Sequence, residues 1–383
     1  MHCVLHIGTE KTGTSSLQKF LHINRSVLAE GGYLYTRSTG LRNNRSLPVA
    51  AYNKDRRDDF TQAHGIYNDK DLAAFQAKII NDLKTELKRA GDIHTVIFSS
   101  EHIQSRLRTD DELVRLRNIL VELGFEQIKI VVYLRAPEEI ASSLYSTAVK
   151  AGSVWLYPPG PDNEYWSNIC DHRSTLTRFG EIFGSQALVP RIFSTSDLVN
   201  GSIIDDFADV IQLPLTGGEY SIPKSQNESL TFIGLEVLRR INREIPVFLD
   251  NQEPNILRGN IVSYVIKYLN EGDVYKVPPE IRRQYEEAFR ESNEWVRAEY
   301  FPDRENLFED DQTLSSCEHS FNDAELDQIA NMIAAIWKDK THYKMELYNS
   351  KAFKIIKPIW QQKKRLAQLA ETLTDRWKTT SGE

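Results

Sequence analysis

Lys11, Thr12, Gly13, Thr14, Ser15 and Ser16 follow one another in the stretch HIGTEKTGTSSLQKFL, residues 6–21. The apolar run before them reads as a strand ending at Ile7, and the residues after them read as a helix beginning near Thr14. A strand–turn–helix of this kind aims backbone N–H groups and the positive end of a helix at an anion. Lys11 adds a point charge, the hydroxyls add donors, and Gly8 and Gly13 let the backbone turn and approach a ligand closely. The chemistry such a loop can do is phosphate binding. Gly8 and Gly13 have the separation of the GxxxxGK[ST] pattern, but Thr14 stands where that pattern has its lysine. Taken alone, the stretch is also compatible with an ordinary capped helix.

A second group lies in VVYLRAPEEIASSLY, residues 131–145. Here a strand runs into Arg135, and a helix starting near Pro137 carries Ser143 two turns later. A nucleoside triphosphatase wants an acidic metal ligand at a strand end; this strand ends in an arginine instead. A third strand ends FSSEHI, which puts Glu101 and His102 at its tip. Ligands of open α/β sheets bind at the carboxyl ends of the strands, so either residue is a candidate general base. Side chains alternate along a strand, so one of the two is expected to point inward, and Glu101 is the slightly favoured choice. The competing reading makes Glu101 a cap and His102 a surface residue. Arg191 and Phe193 end a further strand, where nucleotide contact and plain packing are both open. His172 and Arg173 are candidate contacts for an acidic acceptor, and Trp155, Tyr157, Tyr165 and Trp166 for a sugar or aromatic one, but a solvated helix face and loop packing respectively are the favoured readings.

Together, the Arg135/Ser143 pair and the Lys11 loop resemble the 3′-phosphate-binding and 5′-phosphosulfate-binding motifs of sulfotransferases that use 3′-phosphoadenosine 5′-phosphosulfate (PAPS). Stretches resembling bacterial members continue through FSSEHI, RIFSTSDL (191–198), IIDDFADVIQL (203–213), NESLTFIGLEVLRRINR (227–243) and FRESNEWVRAEYF (289–301), so the resemblance spans roughly residues 1–301. It implies a P-loop kinase-like α/β sandwich with PAPS as co-substrate. It implies nucleotide binding by Lys11, Thr12, Gly13, Thr14, Ser15, Ser16, Arg135 and Ser143, and catalysis by Lys11 with Glu101 or His102. The acceptor implied is a hydroxyl or amine on a small molecule or glycan. A sulfuryl group carries less charge than a phosphoryl group, so no metal is expected. The Arg-Lys-Gly run that hormone and phenol sulfotransferases use late in the chain has no counterpart here, so other cations must close the 3′-phosphate pocket. The runner-up reading is a P-loop kinase acting on a nucleotide or small molecule; a non-catalytic nucleotide-binding scaffold would need no base.

The elements that must position these residues are legible as a pattern. Strands are predicted at 2–7, 33–36, 94–99, 127–134 and 188–193, several of them near-continuous apolar runs as in parallel strands covered on both faces. Between them, Leu72, Phe75, Ile79, Leu83 and Leu87 share one helical face, as do Leu113, Leu116, Leu120 and Leu123. This alternation predicts a three-layer α/β sandwich with a central parallel sheet. Residues 38–69 and 152–166 read as long loops and candidate acceptor rims. The chain beyond about 229 reads as helical. The expected division is a PAPS-binding core at 1–215, a helical part packed on it at 216–340, and a basic helical tail at 341–383.

The 383 residues carry a net charge of −7 with 26% charged side chains, which argues against nucleic acid as a partner. Cys3, Cys170 and Cys317 lack metal-ligand spacing and read as reduced thiols. With no secretory signal and no apolar run of spanning length, the expected location is cytoplasmic. Residues 347–370 contain no acid but carry Lys351, Lys354, Lys357, Lys363, Lys364 and Arg365 among aromatic and aliphatic residues. That composition suits peripheral contact with an anionic membrane, although a helix that packs its apolar side on the domain and solvates its lysines is the favoured explanation. The sequence carries no signal for oligomeric state.

Overall fold

The structure is a computed structural model that describes residues 1–215, 220–223, 229–309 and 321–350. Its centre is a sheet of β1 (His2–His6), β2 (Tyr33–Tyr35), β3 (Thr95–Ser99), β4 (Gln127–Leu134) and β5 (Leu188–Ile192). The strand order is β2-β3-β1-β4-β5 and every pairing is parallel. Each predicted strand is present, within one residue at either end.

The apolar runs are near-continuous because both faces of the sheet are covered. Alternate residues go to opposite layers: Cys3, Leu5, Val96, Phe98, Ile130 and Val132 join one core, and Val4, Ile97, Val131 and Tyr133 join the other. The helices are α1 (Thr14–Ile23), α2 (Arg25–Glu30), α3 (Ser46–Ala50), α4 (Asp59–Ala63), α5 (Asp69–Arg89), α6 (His102–Arg106), α7 (Asp110–Glu122), α8 (Pro137–Lys150), α9 (Glu164–Cys170), α10 (His172–Phe183), α11 (Ile203–Ile211), α12 (Phe232–Glu244), α13 (Ile261–Tyr268), α14 (Pro279–Tyr300) and α15 (Asp323–Asn349). One core packs Leu72, Ile79 and Leu83 of α5 with Leu113, Leu116 and Leu120 of α7, the faces that the periodicity marks. The other packs Leu17, Phe20 and Leu21 of α1 with Phe207 and Ile211 of α11. The result is a three-layer α/β sandwich with the strand order of a P-loop kinase-like fold.

The segment 38–69 is not the continuous loop expected. It holds the short helices α3 and α4, the latter started by an Asp58–Thr61 capping box. Arg45 pairs with Asp58 and with Asp59, each at 2.9 Å, and fastens the segment to itself.

The chain divides into two compact units. The first is Met1–Ser229 together with the stretch from Val274 that carries α14; the second is Leu230–Asp273 together with α15. The amphipathic α14 falls in the first unit because its Tyr285 donates to the Pro159 carbonyl at 2.7 Å and its Ser292 to Asp171 at 2.8 Å. In the second unit, Thr231 caps α12 through the Gly234 N–H and donates to the Leu269 carbonyl after α13. The lysine-rich tail from Lys351 onward, on which the membrane expectation rests, and Cys317 lie outside the described residues. No described helix is long and apolar enough to cross a membrane.

Candidate active site

The loop between β1 and α1 turns sharply at the carboxyl edge of the sheet. Gly8 and Gly13 have φ of 101° and 73°, and Lys11 itself takes φ of 67°, a left-handed conformation that disfavours most side chains. Three contacts hold the loop in place. The Thr9 N–H donates to the Tyr133 carbonyl at 3.0 Å, the Thr12 hydroxyl donates to the Thr9 carbonyl at 2.6 Å, and Arg135 Nη1 donates to the Lys11 carbonyl at 2.9 Å. Gly13 precedes α1 without a side-chain cap, and its carbonyl accepts from the Ser16 and Leu17 N–H groups at 3.0 and 3.2 Å.

A cleft of ≈ 210 Å³ opens at this edge. Lys11, Gly13, Thr14, Ser15, Ser16, Glu101, Arg135 and Ser143 all line it, so residues from three separate sequence motifs converge on one space. Thr12 and His102 are not among the lining residues. Thr12 is fully buried and its hydroxyl is used inside the loop.

Glu101 and His102 differ in position: Glu101 lines the cleft and His102 does not. Glu101 occupies the N-cap position of α6, but its side chain makes no capping hydrogen bond. Its carboxylate is 17% exposed and accepts from Gln18 Nε2 at 2.8 Å and from Asn43 Nδ2 at 3.0 Å. Desolvation raises its pKa above the ordinary carboxylate value, with the nearby Glu10 carboxylate adding to the rise. His102 Nε2 is 3.6 Å from Glu101 Oε1, and burial, reinforced by Arg45 and Arg106, lowers its pKa to about 3. It is therefore neutral throughout the physiological range.

On the opposite wall, α8 starts with Pro137 at its first turn, where the missing N–H costs nothing. Lys11 Nζ donates to Thr147 Oγ1 at 2.6 Å, which ties the loop lysine to the middle of α8. Arg135 Nε donates to Glu139 Oε2 at 2.8 Å, and its guanidinium lies 5.7 Å from the centre of the Phe193 ring. His172 Nε2 meets the Arg135 carbonyl at 2.8 Å and fixes the strand end from behind.

Several lining residues were not singled out as site residues from the sequence: Glu10, Thr147 and Lys150. Thr147 and Lys150 had a legible signal, since they follow Ser143 at the helical spacings i+4 and i+7. Glu10 had none; its carboxylate is oriented by the Tyr165 hydroxyl at 2.7 Å, a contact across 155 positions. Phe193 belongs to the cleft, whereas Arg191 is bound to Asp206 at 2.5 Å and serves the core behind it. Trp155 and Tyr157 are half exposed and line no part of the cleft. Among the described residues, no cluster of three or more His, Cys, Asp or Glu side chains is arranged to hold a metal ion.

No protein-family model and no curated protein matches the chain. Among solved structures, a sulfotransferase from Alicyclobacillus acidocaldarius is similar over 59% of this chain and 87% of that one, at 11% identity and a TM-score of 0.35. A chain from the PezAT chromosomal toxin–antitoxin system of Streptococcus pneumoniae is similar over 63% of this chain and 85% of that one, at 13% identity and a TM-score of 0.29. Likenesses this distant assign no activity. The class that the fold itself defines is an α/β protein of P-loop kinase-like topology, with a glycine- and hydroxyl-rich loop at the carboxyl edge of its sheet.

Proposed function

We propose that the chain is a sulfotransferase that moves a sulfuryl group from PAPS to a hydroxyl or amine of a small-molecule or glycan acceptor, without a metal. The observation that carries this reading is the convergence of Lys11, Arg135 and Ser143 on one cleft that also contains a desolvated carboxylate, Glu101. The first three residue types suit a nucleotide with separated anionic groups, and the fourth suits removal of a proton.

In the reaction, the acceptor oxygen or nitrogen forms a bond to sulfur as the bond from sulfur to the bridging phosphate oxygen breaks. The acceptor proton passes to Glu101, and adenosine 3′,5′-bisphosphate leaves. Negative charge grows on that bridging oxygen, and Lys11 with the loop amides is preorganised to stabilise it. Gln18 and Asn43 keep the Glu101 carboxylate aimed while burial keeps it basic. Removing one preorganised donor of this kind costs on the order of 10²–10³ in rate.

A second reading has one observation in its favour. β3 neighbours β1, and Glu101 at its tip stands across from Ser15 and Ser16, where a phosphoryl-transfer enzyme would place an acid and a hydroxyl around magnesium. Against it, both oxygens of Glu101 are engaged by side-chain amides, and the loop lysine precedes Gly13 rather than following it.

The test is transfer of labelled sulfate from PAPS, in EDTA, to a panel of sugars, phenols, alcohols and amines. The reading expects label on at least one acceptor class, with Lys11→Ala lowering turnover by on the order of 10²-fold while nucleotide affinity changes much less. Equal losses of turnover and affinity in Lys11→Ala would show that the lysine only holds the ground state.

A further inference from the structure

The ionised groups that line the cleft are divided between its walls. The cations stand against α8: Lys11 Nζ donates to Thr147 Oγ1 at 2.6 Å, Arg135 Nε pairs with Glu139 Oε2 at 2.8 Å, and Lys150 belongs to the helix itself. The acids stand on other elements. Glu101 is at the tip of β3, and Glu10, in the loop between β1 and α1, is tied to α9 by the Tyr165 hydroxyl, which donates to its Oε1 at 2.7 Å. The two carboxylates are near enough that, after the larger effect of burial, the charge of Glu10 helps to raise the pKa of Glu101.

Glu10 is oriented without being neutralised. Its partner Tyr165 is steadied by Arg106, whose guanidinium lies over the ring face, 5.0 Å from its centre. Arg106 forms no ion pair with Glu10, and among the described residues the Tyr165 hydroxyl is the one hydrogen-bond partner of the Glu10 carboxylate. A half-buried carboxylate with no counter-ion, in a cleft that also takes a polyanionic co-substrate, carries a Coulombic cost unless the other ligand is positive.

We propose that Glu10 holds a protonated amine of the acceptor, so that the acceptor class is an amino alcohol, amino phenol or amino sugar sulfated on oxygen. This deepens the sulfotransferase reading above and rests on it. The nitrogen is an anchor and not the nucleophile: a carboxylate favours its protonated form, and a protonated nitrogen has no lone pair to offer sulfur. The proton lost in transfer therefore comes from a hydroxyl. It passes to Glu101 as the new bond from oxygen to sulfur forms, the bond from sulfur to the phosphate oxygen breaks, and adenosine 3′,5′-bisphosphate leaves.

A purely structural role for Glu10, tying the loop to α9 through Tyr165, gives a different result. Glu10→Gln separates the two roles, because an amide oxygen still accepts from Tyr165 while the charge is gone.

The experiment is labelled-sulfate transfer from PAPS by the full chain and by Glu10→Gln, comparing tyramine with 4-propylphenol and glucosamine with glucose. The wild type is expected to favour the aminated member of at least one pair and to place the label on its oxygen. In Glu10→Gln the ratio of kcat/KM for that pair should fall by roughly tenfold or more, the loss of a charge-assisted contact. A ratio that the substitution leaves unchanged, label on nitrogen, or a wild type that labels only uncharged or anionic acceptors overturns the assignment of Glu10 while the parent reading stands. Absence of label on every acceptor class overturns both.

Discussion

Lys11 combines a left-handed backbone with a committed side chain. Its φ of 67° is maintained by the Arg135 contact to its carbonyl and the Thr147 contact to its ammonium. Local backbone strain of this kind persists only where the surroundings over-determine it, which is common at ligand clamps. In the proposed reaction Glu101, which lines the same cleft, sets the expected pH behaviour. A base must be ionised to accept a proton, and desolvation raises the pKa of this carboxylate. Transfer should therefore fail on the acid side of the profile at a pH above the ordinary glutamate range. In Glu101→Gln the activity should be lost while nucleotide binding persists, whereas His102→Ala should keep the acid limb, because His102 with a pKa of about 3 is neutral across it. A pH–rate profile checks this, and an unchanged limb in Glu101→Gln would place the base elsewhere. At this scale the sequence was informative about residue type and poor about orientation. FSSEHI offered two adjacent candidates; the one that lines the cleft, Glu101, is held by Gln18 and Asn43, which lie 83 and 58 positions away.

At the scale of elements, α8 is the wall on which the site depends, and it contains a titrating group of its own. Glu138, in its first turn, has its pKa raised to about 7, chiefly by burial and further by Glu286 and Glu139. A carboxylate whose folded pKa lies above its unfolded value binds its proton more tightly in the native state. Its stability contribution is thus complete below the unfolded value near 4.5 and is lost as pH rises through about 7. The full difference corresponds to at most roughly 3 kcal/mol. Denaturant unfolding between pH 5 and 8 should show stability falling with pH, and Glu138→Gln should flatten that slope; a slope unchanged in the variant removes Glu138 as its source. The start of α8 was legible from Pro137 and the strand before it. The helices α3 and α4 were not, since their sequence is polar and Arg-rich and they are held by tertiary pairs such as Arg45 with Asp58. Asn43 was missed for the same reason: in a segment rich in Asn and Arg, nothing local marks the one that reaches Glu101.

For the whole molecule, the sheet was legible because buried parallel strands leave near-continuous apolar runs, and the order β2-β3-β1-β4-β5 then brings the tips of β1, β3 and β4 together. That convergence explains why the motifs at 6–21, 98–103 and 131–145 share one cleft. The division into units was less legible. The amphipathic pattern of α14 shows that the helix buries one face, but not which part of the chain covers it, and the covering side is the first unit through Pro159 and Asp171. The sulfuryl-transfer and phosphoryl-transfer readings share this topology and differ in the ligand that the cleft prefers. Calorimetry on the full chain separates them most directly, comparing adenosine 3′,5′-bisphosphate in EDTA with ATP in excess magnesium. The account predicts tight, metal-independent binding of the bisphosphate and much weaker binding of magnesium-ATP. Preferential binding of magnesium-ATP would contradict it.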